Sequence, residues 1–177
     1  MKLAGIIYYS ILKAAEKNFP IGKTMLQKII FFSLTGTHRE MLYVPFHYGP
    51  FCFSVQSVCE SMVTNKYLEY HASNSVFCIK KIIKEDDINI DREIATRCTK
   101  TLQFLDKNEI VNTKDIAFLS KIYYFLINNP GNVDDFNKFA REKSTIYGWF
   151  EVVKASEKRF AEYLTYAGEL RVVLGEN

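Results

Sequence analysis

Histidine, glycine and proline are scarce in this chain of 177 residues, which contains three, eight and four of them. The histidines at positions 38, 47 and 71 are scattered, and the glycines form no phosphate-binding loop. No serine or cysteine lies in a nucleophile motif. The sequence therefore offers no constellation for catalysis, and we expect a binding protein that is not an enzyme and uses no cofactor.

The four cysteines form no CxxC pair and no ladder of short spacings. Zinc sites usually need such pairs to complete the coordination shell, so we predict no metal site. Cys59 and Cys98 fall on apolar helix stripes and are expected to be buried free thiols. Reduced cysteines of this kind are typical of a cytoplasmic compartment.

Long uncharged apolar runs are also missing, and no window reaches the roughly 18 residues of a membrane span. The apolar run after the first lysine keeps helical spacing as far as Ala15, without a small-residue cleavage pattern. We therefore expect a helix there and not a signal peptide, and we expect no membrane partner.

Charge is modest overall and unevenly distributed. The net charge is +3, with a balance of +6 in residues 1–84 and −3 in residues 85–177. A basic first half favours an anionic partner in that half. A random distribution of surface charge explains the same numbers equally well.

Apolar residues recur at helical spacing throughout the first half of the chain. The helices that this spacing predicts cover residues 2–17, 23–35 and 51–65. Two extended runs between Leu68 and Ile79 then meet at Ser73 and Asn74, which predicts a β-hairpin with Asn74 suited to the turn. A helix followed at once by a hairpin is typical of the second half of a winged helix-turn-helix.

The second half is expected to be helical, so the fold class is mainly α with one small hairpin. We place a winged-helix-like portion at residues 1–84 and a helical extension packed on it at residues 85–177, either as two units or as one continuous domain. Predicted helix starts follow Asp91, Thr113, Ser144 and Ser156, residues that favour helix N-caps. A further short helix is predicted near residues 133–141.

Two motifs of the first half resemble one known family. Residues 23–32 read KTMLQKIIFF and resemble the KLQKLLYF-type signature of the Panacea domain, a SocA-like antitoxin domain. Residues 46–51 read FHYGPF and resemble that family's AWxYGPV element, with Phe46–His47 in place of Ala-Trp and Phe51 in place of a small aliphatic residue. The resemblance covers roughly residues 1–84 and extends to related uncharacterised prokaryotic proteins.

The resemblance implies a helical domain with winged-helix features that recognises a partner protein, often a toxin to be neutralised. In some members it implies an adaptor that delivers a toxin to a protease. The expected function is therefore that of an antitoxin-like regulator that acts by protein–protein contact.

Aromatic residues around the YGP motif form the candidate partner-binding set, because buried aromatic anchors dominate many protein interfaces. These residues are Tyr43, Phe46, His47, Tyr48 and Phe51. The same aromatic side chains could instead fill the core, and a homodimer would also explain such a surface.

DNA binding by a transcriptional regulator is the alternative. The polar face of the third helix and the hairpin would then supply contacts to double-stranded DNA. The candidate residues are Ser54, Gln56, Ser57, Ser61, Thr64, Lys66, Asn74, Lys80 and Lys81. The third helix contains no arginine and carries Glu60, whereas arginine and lysine make the commonest specific contacts to guanine.

Overall fold

A computed structural model describes residues 3–37, 41–129 and 155–176, together with residues 138, 139, 142 and 149. The chain is mainly α, as predicted, with six helices and one antiparallel two-stranded hairpin among these residues. The helices are α1 (Leu3–Glu16), α2 (Lys23–Leu34), α3 (Phe53–Thr64), α4 (Arg92–Lys107), α5 (Thr113–Asn128) and α6 (Glu157–Val173). The strands are β1 (Leu68–His71) and β2 (Val76–Ile79), and a 3-10 turn covers Glu85–Asp87.

Helix α2 lies at the centre of the molecule. Ten of its twelve residues are buried, and it contacts α1, α3, α4 and α5. A helix that is apolar on nearly all sides must be surrounded by other elements, as α2 is here. The hydrophobic core runs on from Ile29 of α2 through Leu102 of α4 and Leu119 of α5 to Leu170 of α6. The second half of the chain therefore packs directly on the first.

The hairpin packs on the first half through one of its two faces. Leu68 pairs with Ile79 and Tyr70 with Phe77, and the side chains of Leu68 and Phe77 are buried. The predicted alternation along β1 is thus confirmed. The loop between the strands has its left-handed residue at Ser75 (φ 58°), and not at Asn74 as the turn chemistry suggested. The Phe77 N–H donates to the Ile21 carbonyl at 2.9 Å, which ties the hairpin to the link between α1 and α2.

Helix ends were predicted with mixed success. Asp91 and Ser156 cap α4 and α6 as expected, each accepting a hydrogen bond from a backbone N–H of the first turn. The prediction of Thr113 as a cap was wrong, because Asn112 is the N-cap of α5 and accepts from the Asp115 N–H at 2.9 Å. The predicted cap Ser144 and most of the predicted helix over 133–141 lie outside the described residues.

The third helix, predicted over about residues 51–65, begins two residues later than that range. Helix α3 begins at Phe53, and Cys52 is its N-cap with extended backbone. The Phe51 N–H and carbonyl are already engaged by Val44, so this residue is held in an extended conformation.

The predictions for Cys59 and Cys98 are confirmed, since both are buried free thiols. None of the helices within the described ranges is long and apolar enough to cross a membrane.

Candidate functional site

The YGP motif forms a tight aromatic turn, defined here as residues 46–49. Val44 and Phe51 pair as an antiparallel bridge, with N···O distances of 2.9 and 2.8 Å. Inside this bridge, Phe46 and Gly49 exchange backbone hydrogen bonds of 3.1 and 2.9 Å, which leaves His47 and Tyr48 at the tip. Gly49 has φ +93°, a conformation that side chains with a Cβ rarely adopt. The turn is therefore a miniature hairpin whose geometry depends on glycine.

Two adjacent polar residues of α2 hold the chain that follows the aromatic turn. The Gln27 side chain donates to the Cys52 carbonyl at 2.9 Å and accepts from the Cys52 N–H at 3.1 Å. The Lys28 ammonium donates to the Pro50 carbonyl at 2.6 Å. All three contacts are buried. The two sequence motifs are therefore parts of one structure, because the first supplies the side chains that bind the backbone of the second.

The aromatic turn is also held from its other side. A Cβ on Gly49 would lie 2.5 Å from the Ser120 hydroxyl oxygen, so α5 approaches the turn as closely as glycine allows. The indole N–H of Trp149, a fully buried residue, donates to the Phe46 carbonyl at 2.6 Å. The turn is thus held by α5 and Trp149, and the residues directly after it by α2.

Aromatic side chains remain exposed on this fixed backbone. Phe46, Tyr48 and Phe53 are 39%, 59% and 63% exposed. The rings of Phe46 and Phe53 are connected through that of Phe51, with ring centroids 5.2 Å apart for Phe46–Phe51 and 5.0 Å apart for Phe51–Phe53. Sequence reasoning missed Phe53, although its position off the buried stripe of α3 was a signal.

An apolar groove of about 460 Å³ lies next to the aromatic turn. Helix α2, helix α3, the hairpin and the turn itself form its walls. The apolar part of the lining is supplied by Leu26, Phe46, Tyr48, Gly49, Phe51, Val55, Cys59, Val63, Tyr70 and Phe77. A partner that contacts the exposed aromatic rings therefore also meets an opening into the apolar interior.

Charged and polar side chains at the groove come mainly from α2 and α3. The Lys23 ammonium lies 4.6 Å from the centroid of the Tyr70 ring. Glu60 accepts a hydrogen bond from the Gln56 side chain at 2.8 Å. Burial, with a further contribution from Lys121, lowers the pKa of Lys28 to about 7. Burial raises the pKa of the Cys59 thiol to about 12, so this cysteine stays protonated at neutral pH.

The structure brings four of the five predicted partner-binding residues together. Phe46, His47, Tyr48 and Phe51 lie on or beside the aromatic turn, and the first, third and fourth line the groove. Tyr43 lies apart from them, with its ring 5.0 Å from that of Phe31. Tyr43 is partly buried and packs against the hydrophobic core, and its buried hydroxyl has no hydrogen-bond partner among the described residues.

The predicted DNA-binding residues are all solvent-exposed. Five lie on α3, where Gln56 and Thr64 also line the groove, and Ser54, Ser57 and Ser61 do not. Lys66 and Asn74 lie beyond the ends of α3 and β1. Lys80 forms an ion pair with Glu69 at 3.1 Å, and the Lys81 ammonium lies 4.8 Å from the centre of the Tyr67 ring.

Within the part of the chain that the structure describes, no group of three or more His, Cys, Asp or Glu side chains is placed to hold a metal ion. Comparisons of the chain with protein-family models, with curated proteins and with solved structures found no match.

Proposed function

We propose that this protein is a non-enzymatic, antitoxin-like regulator that acts by contact with a partner protein through the aromatic turn and Phe53. The proposal rests on one observation. Buried side chains hold the backbone of this region by hydrogen bonds, whereas its aromatic side chains are exposed to solvent. Gln27, Lys28 and Trp149 bind the backbone of residues 46–52. Tyr48 in this segment and Phe53 directly after it remain more than half exposed.

Physical chemistry favours a protein partner for such a surface. Burying a large aromatic side chain contributes about 1.5–3 kcal/mol through removal of apolar area from water. A backbone that is already ordered loses little conformational entropy on binding, so more of this free energy appears as affinity. Tyrosine is also enriched among the residues that contribute most to interface affinity. The resemblance of the two motifs to the Panacea domain supplies the class of partner, a toxin or a protease system.

The test is affinity purification from cells of the source organism with two matched double variants. Tyr48→Ala/Phe53→Ala removes two exposed aromatic side chains of the proposed surface. Ile82→Ala/Val172→Ala removes two apolar side chains that are 88% and 76% exposed elsewhere. We expect the first variant to lose a specific co-purifying protein and the second to keep it. Equal recovery with both variants would contradict the proposal.

DNA binding is the second candidate, and the exposed polar face of α3 beside the hairpin favours it. Ser54, Ser57 and Ser61 are free of the groove and open to solvent, as a base-reading face would be. Helix α3 contains no lysine or arginine, however, and Lys80 is already paired with Glu69. Cationic contacts to phosphates supply most non-specific affinity for DNA, so the available charge for this function is small.

Titration with random-sequence duplex DNA at low and moderate salt separates the two candidates. A DNA-binding protein shows affinity that falls steeply as salt rises, and Lys80→Gln/Lys81→Gln reduces both the affinity and the salt slope. Our proposal predicts no detectable binding at low ionic strength and no effect of the double variant.

A further inference from the structure

We infer that the apolar groove takes a partner segment in which a large apolar side chain lies next to a carboxylate, which pairs with Lys23. This inference rests on the proposed function, because it names the chemistry of the partner at the same surface. The apolar walls of the groove contact the apolar side chain of the partner. The Lys23 ammonium pairs with the carboxylate next to that side chain.

The size and lining of the groove suit side chains of a peptide. A volume of about 460 Å³ is within the range of pockets that enclose small ligands, and most of the lining surface is apolar. Val55 and Phe77 are buried in its walls, and Tyr48 of the turn and Phe51 beside the turn also line it. A leucine or phenylalanine of a partner could therefore leave water here while the partner backbone contacts the aromatic turn.

Lys23 carries the exposed positive charge of the groove, which the buried Lys28 and the exposed Glu60 also line. The Lys23 ammonium lies 4.6 Å from the Tyr70 ring centroid, and that ring packs on Phe77 with centroids 5.0 Å apart. Among the described residues, no carboxylate forms an ion pair with Lys23. Glu60, the carboxylate among the described lining residues, accepts a hydrogen bond from the neutral Gln56 side chain and keeps its negative charge. A carboxylate from a partner would therefore complement a cation that the aromatic ring already orients.

Lys23 also lies at the N-terminal end of α2, where its positive charge destabilises the helix. It is the first residue of the helix, and the first turn contains no acidic residue. A cation near a helix N-terminus is disfavoured by the helix dipole. Because replacement of Lys23 relieves this repulsion, binding and stability are expected to respond to it in opposite directions.

Selection of random dodecapeptides displayed on phage, against the folded full chain, tests the inference. Counter-selection uses Val63→Phe, which places extra apolar volume in the groove, and the control Val111→Phe adds the same group at an exposed apolar residue outside the groove lining. We expect enriched peptides to carry Leu, Phe, Tyr or Trp next to Asp or Glu, and to bind Val111→Phe but not Val63→Phe. No enrichment, enrichment without acidic residues, a basic preference, or equal binding to Val63→Phe would each overturn the inference.

The role of Lys23 is then measured with a synthetic copy of one selected peptide. We expect Lys23→Gln to weaken its binding by about tenfold, the scale of a favourable ion pair, while the urea midpoint of unfolding stays the same or rises. The control Lys66→Gln, at an exposed lysine outside the groove lining, leaves binding unchanged. An unchanged affinity of Lys23→Gln overturns the inference.

Failure here is distinguishable from failure of the proposed function. If the partner is lost with Tyr48→Ala/Phe53→Ala but retained fully with Lys23→Gln and Val63→Phe, the aromatic surface binds the partner and the groove does not. A groove that closes against a second copy of this chain would show itself as a concentration-dependent dimer that Val63→Phe dissociates, and this result too would overturn the inference.

Discussion

Gln27 satisfies both hydrogen-bonding groups of the Cys52 residue, at 2.9 and 3.1 Å, in a buried environment. Gln27→Met keeps the length of the side chain but leaves that N–H without a partner, while the carbonyl keeps only the 3.4 Å hydrogen bond from the Gln56 N–H. We expect the free energy of unfolding to fall by about 1–3 kcal/mol, the cost of an unsatisfied buried group. Urea unfolding measures the loss, and Gln103→Met, at an exposed glutamine of α4, serves as the control that leaves it unchanged.

Lys28, which binds the same segment, makes the stability of the folded chain depend on pH. Its folded pKa is lowered from 10.5 to about 7, chiefly by burial. Between these two values the unfolded chain holds a proton that the folded chain has lost, so the contribution of Lys28 to stability rises with pH. Below pH 7 both states are protonated, and the contribution no longer changes.

The corresponding measurement compares the wild type with Lys28→Met by urea unfolding from pH 6 to pH 9. We expect the difference between them to shift in favour of the wild type above pH 7, by up to about 1.4 kcal/mol per pH unit. The exposed-site control Lys107→Met follows the wild type at every pH. A flat difference between pH 7 and pH 9 would show that Lys28 keeps its ordinary pKa.

The C-terminal ends of α2 and α6 converge on Arg97 of α4. The guanidinium donates to the Ser33 carbonyl at 2.9 Å near the end of α2, to the Leu174 carbonyl after α6, and to the Glu176 carboxylate. Tyr123 of α5 donates to the same carboxylate at 2.6 Å. One buried ionic network therefore joins four helices, and both helix C-termini favour a cation at this place.

Removal of the cation tests this network. Arg97→Met leaves the buried Glu176 carboxylate with only its longer ion pair to Arg171, at 3.9 Å, so we expect a loss of about 3–5 kcal/mol in the free energy of unfolding. The control Arg159→Met removes an ion pair with Asp115 in which both side chains are partly exposed, and it is expected to change stability by less than about 1 kcal/mol. Similar losses for the two variants in chemical denaturation would contradict the account of Arg97.

Elements with strong local signals were predictable from the sequence, and those that depend on distant partners were not. The buried stripe of α1 and the alternation along β1 follow directly from apolar periodicity. The start of α3 did not, because Phe51 and Cys52 are held extended by Val44 and Gln27, residues that only the fold brings near. The cap of α5 was missed because Asn112 and Thr113 are both favourable N-cap residues and adjacent in the chain.

The candidate site was predictable only in part, because some of its features are local to the sequence and others depend on contacts between distant residues. The aromatic character and the Gly-Pro pair of residues 46–51 were visible in the sequence, and so was the resemblance of residues 23–32 to a second motif. That Gln27 and Lys28 bind the backbone of the YGP segment required tertiary structure. Sequence alone also gave no means of sorting the aromatic residues, and the structure leaves Tyr48 exposed while it places the hydroxyl of Tyr43 in the core.

At the scale of the whole molecule, the second half of the chain helps to hold the site in the first half. Trp149 donates to the Phe46 carbonyl, and Ser120 of α5 limits position 49 to glycine. The helical extension therefore contributes to the geometry of the aromatic turn, in addition to covering α2. Changes in α5 at its contact with Gly49 are expected to act on partner binding.

The claim that the aromatic turn is the partner-binding surface is tested most directly by site-specific photo-crosslinking in cells of the source organism. A photoreactive phenylalanine analogue replaces Tyr48 in one variant and Val111, which is 41% exposed and outside the groove, in the other. We predict a crosslink to one defined protein from position 48 and none to that protein from position 111. Crosslinks from position 48 to nucleic acid, or the same protein captured equally from both positions, would contradict the account.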